Sequence, residues 1–201
     1  MAPTRARLAA LAVLLVAGWF GCASGPAPRD HFYRLEITAP ARLPSPALPG
    51  ILEVDRLRVE AIAQGRRMLY RDASRPNVIG QHSYHFWADP PGLMLQDQLA
   101  RGLRAAGAAK SVVTSGIRVS SDFLLKGRLV RLERHVGSGA ARVAVEIEFT
   151  LLVAKGNELL LQKSYAEERT AAGDDVGASV TAYQDALDTI FQQLLADLPR
   201  R

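Results

Sequence analysis

The stretch that most narrows what this chain can become is "ARVAVEIEFTLLVAK". Val143, Val145, Ile147, Phe149, Leu151 and Val153 alternate with Arg142, Ala144, Glu146, Glu148, Thr150 and Leu152. A period of two buries one face and wets the other, the habit of an antiparallel strand on one side of a core. "GSG" at 137–139 and "KGN" at 155–157 have the composition of hairpin turns, so 122–136, 141–155 and 158–171 read as a three-stranded meander. In the first of these strands Phe123, Leu125 and Leu129 share one parity, whereas Val130, Leu132 and Val136 share the other. A bulge between the two sets would return both to a single buried face.

Around the meander the pattern changes period. Val176, Val180, Tyr183, Leu187, Ile190, Leu194 and Leu198 recur at spacings of three and four, a helical stripe. Asp174 or Asp175 can cap its start, and Pro199 closes it. A second helix is bounded by Pro90-Pro91 and Gly107, with Leu95, Leu99, Leu103 and Ala106 as its stripe. Upstream, "HFYRLEI" (31–37) reads as a strand with Tyr33, Leu35 and Ile37 on one face. The proline-rich stretch 38–50 forbids regular structure. "ILEVDRLRVE" (51–60) is strand-like, "RRMLYR" and "NVIGQHSYHFWA" form a hairpin around "DASRP", and "SVVTS" (111–115) is a short strand. This order predicts an α/β (α+β) domain: a two-layer sandwich with a mostly antiparallel sheet and two helices packed on one face.

The N-terminus follows different rules. Arg5 and Arg7 precede an uncharged run from Leu8 to Phe20, and Cys22 follows Gly21. As a helix that run spans about 20 Å, less than the ~30 Å hydrocarbon core, so it reads as a secretory signal peptide. Cys22 is the only cysteine, which excludes an internal disulfide. Its place after a cleavable run resembles the lipobox of bacterial lipoproteins, where the cysteine is acylated and becomes the mature N-terminus. Gly21 matches that pattern; Trp19 and Phe20 depart from it. Residues 1–21 are therefore expected to be a signal peptide, 22–31 a lipidated tether and 32–201 the domain. Removing Arg5 and Arg7 leaves 23 basic against 20 acidic residues, a formal charge of +3 without a basic block. That balance does not point to nucleic acid.

The catalytic candidates are thin. His82 and His85 would share a helix face, but on a strand they are expected to face opposite sides, which argues against a metal site. Ser83 and His85 lack an orienting acid and a G-x-S-x-G frame. The Asp174-Asp175 pair is expected to act as a cap. Glu146 and Glu148 are expected to be solvated on the wet strand face, and Trp87 to be a core anchor. No cofactor, metal or catalytic residue is expected.

"YRLEI", "LEVDRLRVEAIAQGRRMLYR", "HFWADPPGLMLQDQLARGLRAAG" and the run from Asp122 to Tyr165, in this order after an N-terminal cysteine, resemble the ABC-type transport auxiliary lipoproteins. His85, Trp87, Ala88, Asp89 and Pro90 resemble that family's His-x-Trp-Ala-acidic-Pro signature; Phe86 stands where the family carries a basic residue. The resemblance implies a non-enzymatic auxiliary subunit. Its implied partners are an MCE-domain protein and an ABC transporter permease and ATPase that move phospholipid-like molecules. It would be anchored through Cys22 on the periplasmic face of a membrane, with Ala23 after Cys22 fitting the outer one. Self-association into a homo-oligomer stays open. The competing reading is a lipoprotein cofactor of another envelope machine, for lipopolysaccharide assembly or peptidoglycan-synthase activation.

Overall fold

A computed structural model describes residues 28–38, 40–117, 119–137 and 139–200. Its strands are β1 (His31–Tyr33), β2 (Leu48–Val54), β3 (Arg58–Val59), β4 (Arg67–Asp72), β5 (Arg75–Trp87), β6 (Ala109–Thr114), β7 (Phe123–Val136), β8 (Arg142–Val153) and β9 (Leu159–Thr170). The helices are α1 (Pro91–Ala106) and α2 (Val176–Asp197), with a single 3-10 turn at Ala61–Ala63. The α+β class and both helices are as expected. The sheet is not.

β7 is its spine. One edge pairs antiparallel with β8 along its whole length, and β8 pairs with β9, which is the expected meander. The other edge is shared end to end by three strands running parallel to β7. β2 meets Phe123–Leu125, β3 meets Arg128–Leu129, and β4 meets Glu133–Val136. The sheet then forks. β2 carries β6 in parallel, while β4 carries β5 antiparallel and β5 carries β1 in parallel. Five of the eight strand pairings are parallel, so the sheet is mixed and strongly curled rather than one layer of a mostly antiparallel sandwich. The physical reason is that alternation reports one buried face, not strand direction. β2 also alternates, because helices cover only its inner side.

The expected bulge is present. Leu129 pairs with Ile147 and Arg131 with Glu146, leaving Val130 as the extra residue. Leu125, Leu129 and Leu132 thereby share one buried face with Val143, Val145, Ile147, Phe149 and Leu151, each at most 4% exposed.

Both helices lie on that face. Pro91 opens α1, and Gly107 ends it in the left-handed conformation at φ 64°. Asp175 caps α2, its carboxylate accepting from the Ala178 N–H at 2.8 Å. The helices meet where Gly102 faces Phe191; a Cβ there would sit 2.7 Å from the ring, so the crossing requires glycine. Leu35 and Ile37 are buried as the sequence implies, but β1 stops at Tyr33. Instead the Gln184 side chain accepts from the Glu36 N–H, Gln98 from Ile37 and Asp188 from Thr38. The chain entering the domain is thus pinned across both helices. Among the described residues no helix is long and apolar enough to cross a membrane. One continuous core joins the sheet and both helices, its buried residues running from Leu35 to Leu198, with Tyr33 of β1 and Val59 of β3 packed against it.

Candidate functional site

The fork that ends in β5 and β1 gathers most of the residues singled out from the sequence. Its inner face holds Trp87, 1% exposed, edge-on to Tyr183 with centroids 5.4 Å apart. Trp87 is the expected core anchor. His82 and His85 also share this face, against the expectation that they oppose each other: their rings meet edge to face at 5.4 Å. The cause is a break in β5. Between the pairs Arg67–Phe86 and Leu69–Gln81, β4 advances two residues while β5 advances five. The odd excess reverses the alternation. His31 stacks on His85 at 5.2 Å, and the Tyr33 hydroxyl lies 3.0 Å from His85 Nδ1. Tyr70 leans on His82 and over Gly80, where a Cβ would fall 2.4 Å from the tyrosine ring.

The histidine rings pack on one another rather than converge on a point. Among the described residues no three His, Cys, Asp or Glu side chains are placed to hold an ion. The His31 and His85 rings lie flat against each other, 16° from parallel, instead of converging. Burial, His85 and the Arg134 guanidinium push His82 down to about 4; burial, His31 and Arg134 also lower His85. Both therefore stand neutral at neutral pH. Ser83 is exposed, and its carbonyl accepts from Arg67 at 3.3 Å.

The outer face of the same strands carries a different row. Phe32 on β1, Phe86 on β5 and Arg67 on β4 stand opposite one another in register. The two phenyl rings stack at 5.5 Å. The Arg66 guanidinium lies over Phe32 at 5.4 Å and that of Arg67 over Phe86 at 5.3 Å. Phe32 is 54% exposed. The two arginines donate to carbonyl oxygens of Ala88, His82 and Ser83, and have no carboxylate partner among the described residues. Sequence reasoning missed this row because its members come from three segments and meet only through strand register.

The opposite end of the sheet is stitched shut. Asp197 of α2 accepts from Lys163 at 2.7 Å and from the Tyr165 hydroxyl at 2.8 Å. Arg169 donates to Thr189, and Gln193 to Glu167. Glu146 and Glu148 are on the wet face as expected, but each is paired: Arg131 reaches Glu146 at 2.8 Å, and Arg128 holds Glu148 through two bonds of 2.8 and 2.7 Å. Arg128 keeps the Glu148 carboxyl below the usual range. Asp174 accepts from the Ala141 N–H at 3.2 Å, and its carbonyl from buried Arg134, which also donates to Ser179. Glu133, 5% exposed, is held by Arg71 at 2.5 Å. Neither buried group was singled out from the sequence.

Surface clefts are open and mixed in lining. One of about 410 Å³ is bounded by Pro49, Gly50, Asp122, Phe123 and Lys155; another, about 580 Å³, is walled by Arg56, Arg58 and Gln64. The first is mostly apolar in lining, with Val153 beside Phe123, and the second is mostly polar. Cys22 lies outside the described residues.

Comparison with known proteins gives the same fold in other chains. The crystal structure of XCC0632 from Xanthomonas campestris superposes with a TM-score of 0.74 at 19% identity, covering 83% of this chain and 93% of that one. The structure of an uncharacterised protein matches at 0.65 and 15% identity, covering 85% and 99%. No protein of curated function matches in sequence. A family model described as "ABC-type transport auxiliary lipoprotein component" matches residues 33–194, from β1 into the last turn of α2.

Proposed function

Because the chain belongs to the ABC-type transport auxiliary lipoprotein family, we propose that it is the non-catalytic, lipid-anchored subunit of an MCE-type transporter that moves phospholipid-like molecules across the envelope. Cys22 is the acylated residue of this proposal, and the residues from Cys22 up to the start of β1 at His31 are its tether. Several acyl chains at ~0.8 kcal/mol per buried CH₂ hold such a protein without help from the fold. Ala23 after the cysteine favours the outer membrane as its address.

The observation that carries the reading is the extent of the family match, 33–194, which takes in the described core except Leu198 at its end and lies downstream of Cys22. The domain's part is to dock the MCE partner by protein contact, not to carry cargo. Among the described residues β6 pairs on one side only, with β2, so its outer edge is open to strand addition. The test is to purify residues 24–201 from cells and extract them for lipid. Co-purification with the MCE subunit and no bound lipid is the expected result; stoichiometric phospholipid on the domain alone would refute the docking role.

A further inference from the structure

We propose that the outer face of β1, β4 and β5, built from Phe32, Phe86, Arg66 and Arg67, rests on the anionic phospholipid headgroups of the membrane that holds the anchor. The inference rests on the anchoring at Cys22 proposed above and adds the face the domain turns toward the bilayer.

The first argument is reach. Cys22 and His31 are nine positions apart. Fully extended, that length of chain spans at most about 30 Å. The domain end tied to it is therefore the end nearest the bilayer, and it is pinned there. The Ala88 N–H donates to the Tyr33 carbonyl, and the backbone of Glu36, Ile37 and Thr38 is bound by side chains of α1 and α2. An anchor at Cys22 thus orients this face in particular.

The second argument is chemistry. An exposed aromatic ring beside unpaired arginines suits a headgroup layer, where ring edges lie at the acyl boundary and guanidinium groups meet phosphate. Arg66 and Arg67 lie over the rings, so cation and apolar surface are presented together. Other charges nearby are Arg29, Asp30 and a mixed cluster in which Arg34 faces Asp89 at 3.9 Å beside Glu36, Asp97 and Arg101. That cluster carries three carboxylates against two guanidinium groups, so the basic character of this face rests on Arg66 and Arg67. The β9 end has its arginines matched to Glu146, Glu148, Glu167 and Glu168. An acidic protein partner is the alternative occupant; the tether length favours lipid, because it brings the bilayer to this face whether or not a partner is bound.

Residues 28–200 hold the whole described core and lack Cys22, so they test the face without the anchor. A single thiol is introduced by Gly65→Cys, where a side chain meets open space, and in a second chain by Leu159→Cys on β9. Each carries an environment-sensitive fluorophore and is titrated with vesicles of phosphatidylcholine, with or without about one quarter phosphatidylglycerol. The expected result is a blue shift at Gly65→Cys with the anionic vesicles, none at Leu159→Cys, and loss of the shift at high salt. Arg66→Glu with Arg67→Glu should weaken the response by more than about fivefold, and Arg67→Lys should retain it. No shift at Gly65→Cys, equal shifts at both positions, or a response indifferent to the arginines overturns the proposal. So does capture of an acidic peptide with no response to vesicles. Failure of acylation at Cys22, read separately by mass spectrometry of the native protein, leaves these outcomes unchanged.

Discussion

The two ends of the sheet are made of similar residues and finished differently. At the β9 end, α2 lies along the strand, and each long charged side chain finds an opposite charge or a hydroxyl: Lys163 and Tyr165 on Asp197, Arg169 on Glu167 and Thr189. At the β1–β5 end no helix among the described residues covers the outer face, and the arginines lie on phenyl rings instead of carboxylates. Edge strands invite unwanted pairing, and paired charge with a covering helix is one way proteins blunt them. One end is closed in this way. The other keeps apolar surface and charge in the open, which is how a surface awaiting contact differs from one that is only solvated.

The largest effect expected from this contrast is on stability. Leu194, fully buried where α2 meets β8 and β9, should cost about 2–5 kcal/mol when replaced by alanine. Phe32→Ala at the open end should cost far less, within about 1 kcal/mol. Chemical denaturation of both variants makes the comparison, and equal losses would remove the distinction between a closed and an open end.

Acid should act on the open end first. The unfolded chain binds a proton on His82 near 6.5, but the folded chain only near 4. Stability therefore rises with pH across that window; the contribution is complete above 6.5 and is lost as pH falls toward 4. Since His82 is only half-buried, solvent screening reduces the effect to about 1–2 kcal/mol. His82→Asn should flatten a stability–pH curve between those values, and a variant curve as steep as the parent's would assign the acid response elsewhere.

The Asp175 cap should contribute about 1 kcal/mol, so Asp175→Ala should lower the midpoint modestly without disturbing vesicle binding. Smallest of all, Arg66→Glu should leave folding within about 0.5 kcal/mol of the parent, because its partners are a carbonyl and a ring face at an exposed site. A large loss from Arg66→Glu would mean the arginine serves the fold, not a partner.

What could be read in the sequence tracks whether the cause is local. The Val130 bulge was legible as a parity switch, the Asp174-Asp175 pair as a cap and Gly107 as a helix stop, since each is written within a few residues. The parallel pairing of β7 with β2, β3 and β4 was not, because it joins segments roughly sixty to seventy positions apart and leaves the same alternation as an antiparallel pair. "HSYH" misled for a related reason: strict period two puts His82 and His85 on opposite faces, and only the slip against β4 reunites them. The arginine–phenylalanine row left one local trace. Phe86 is an apolar residue on the side of β5 away from Trp87, and that side is not the core.

The account is tested most directly by hydrogen exchange on the acylated mature chain, held in nanodiscs containing phosphatidylglycerol and compared with residues 28–200 free in solution. It predicts added protection at residues 31–33, 65–67 and 84–87, with residues 159–170 unchanged. Protection at β9, or none at the β1–β5 end, would contradict it.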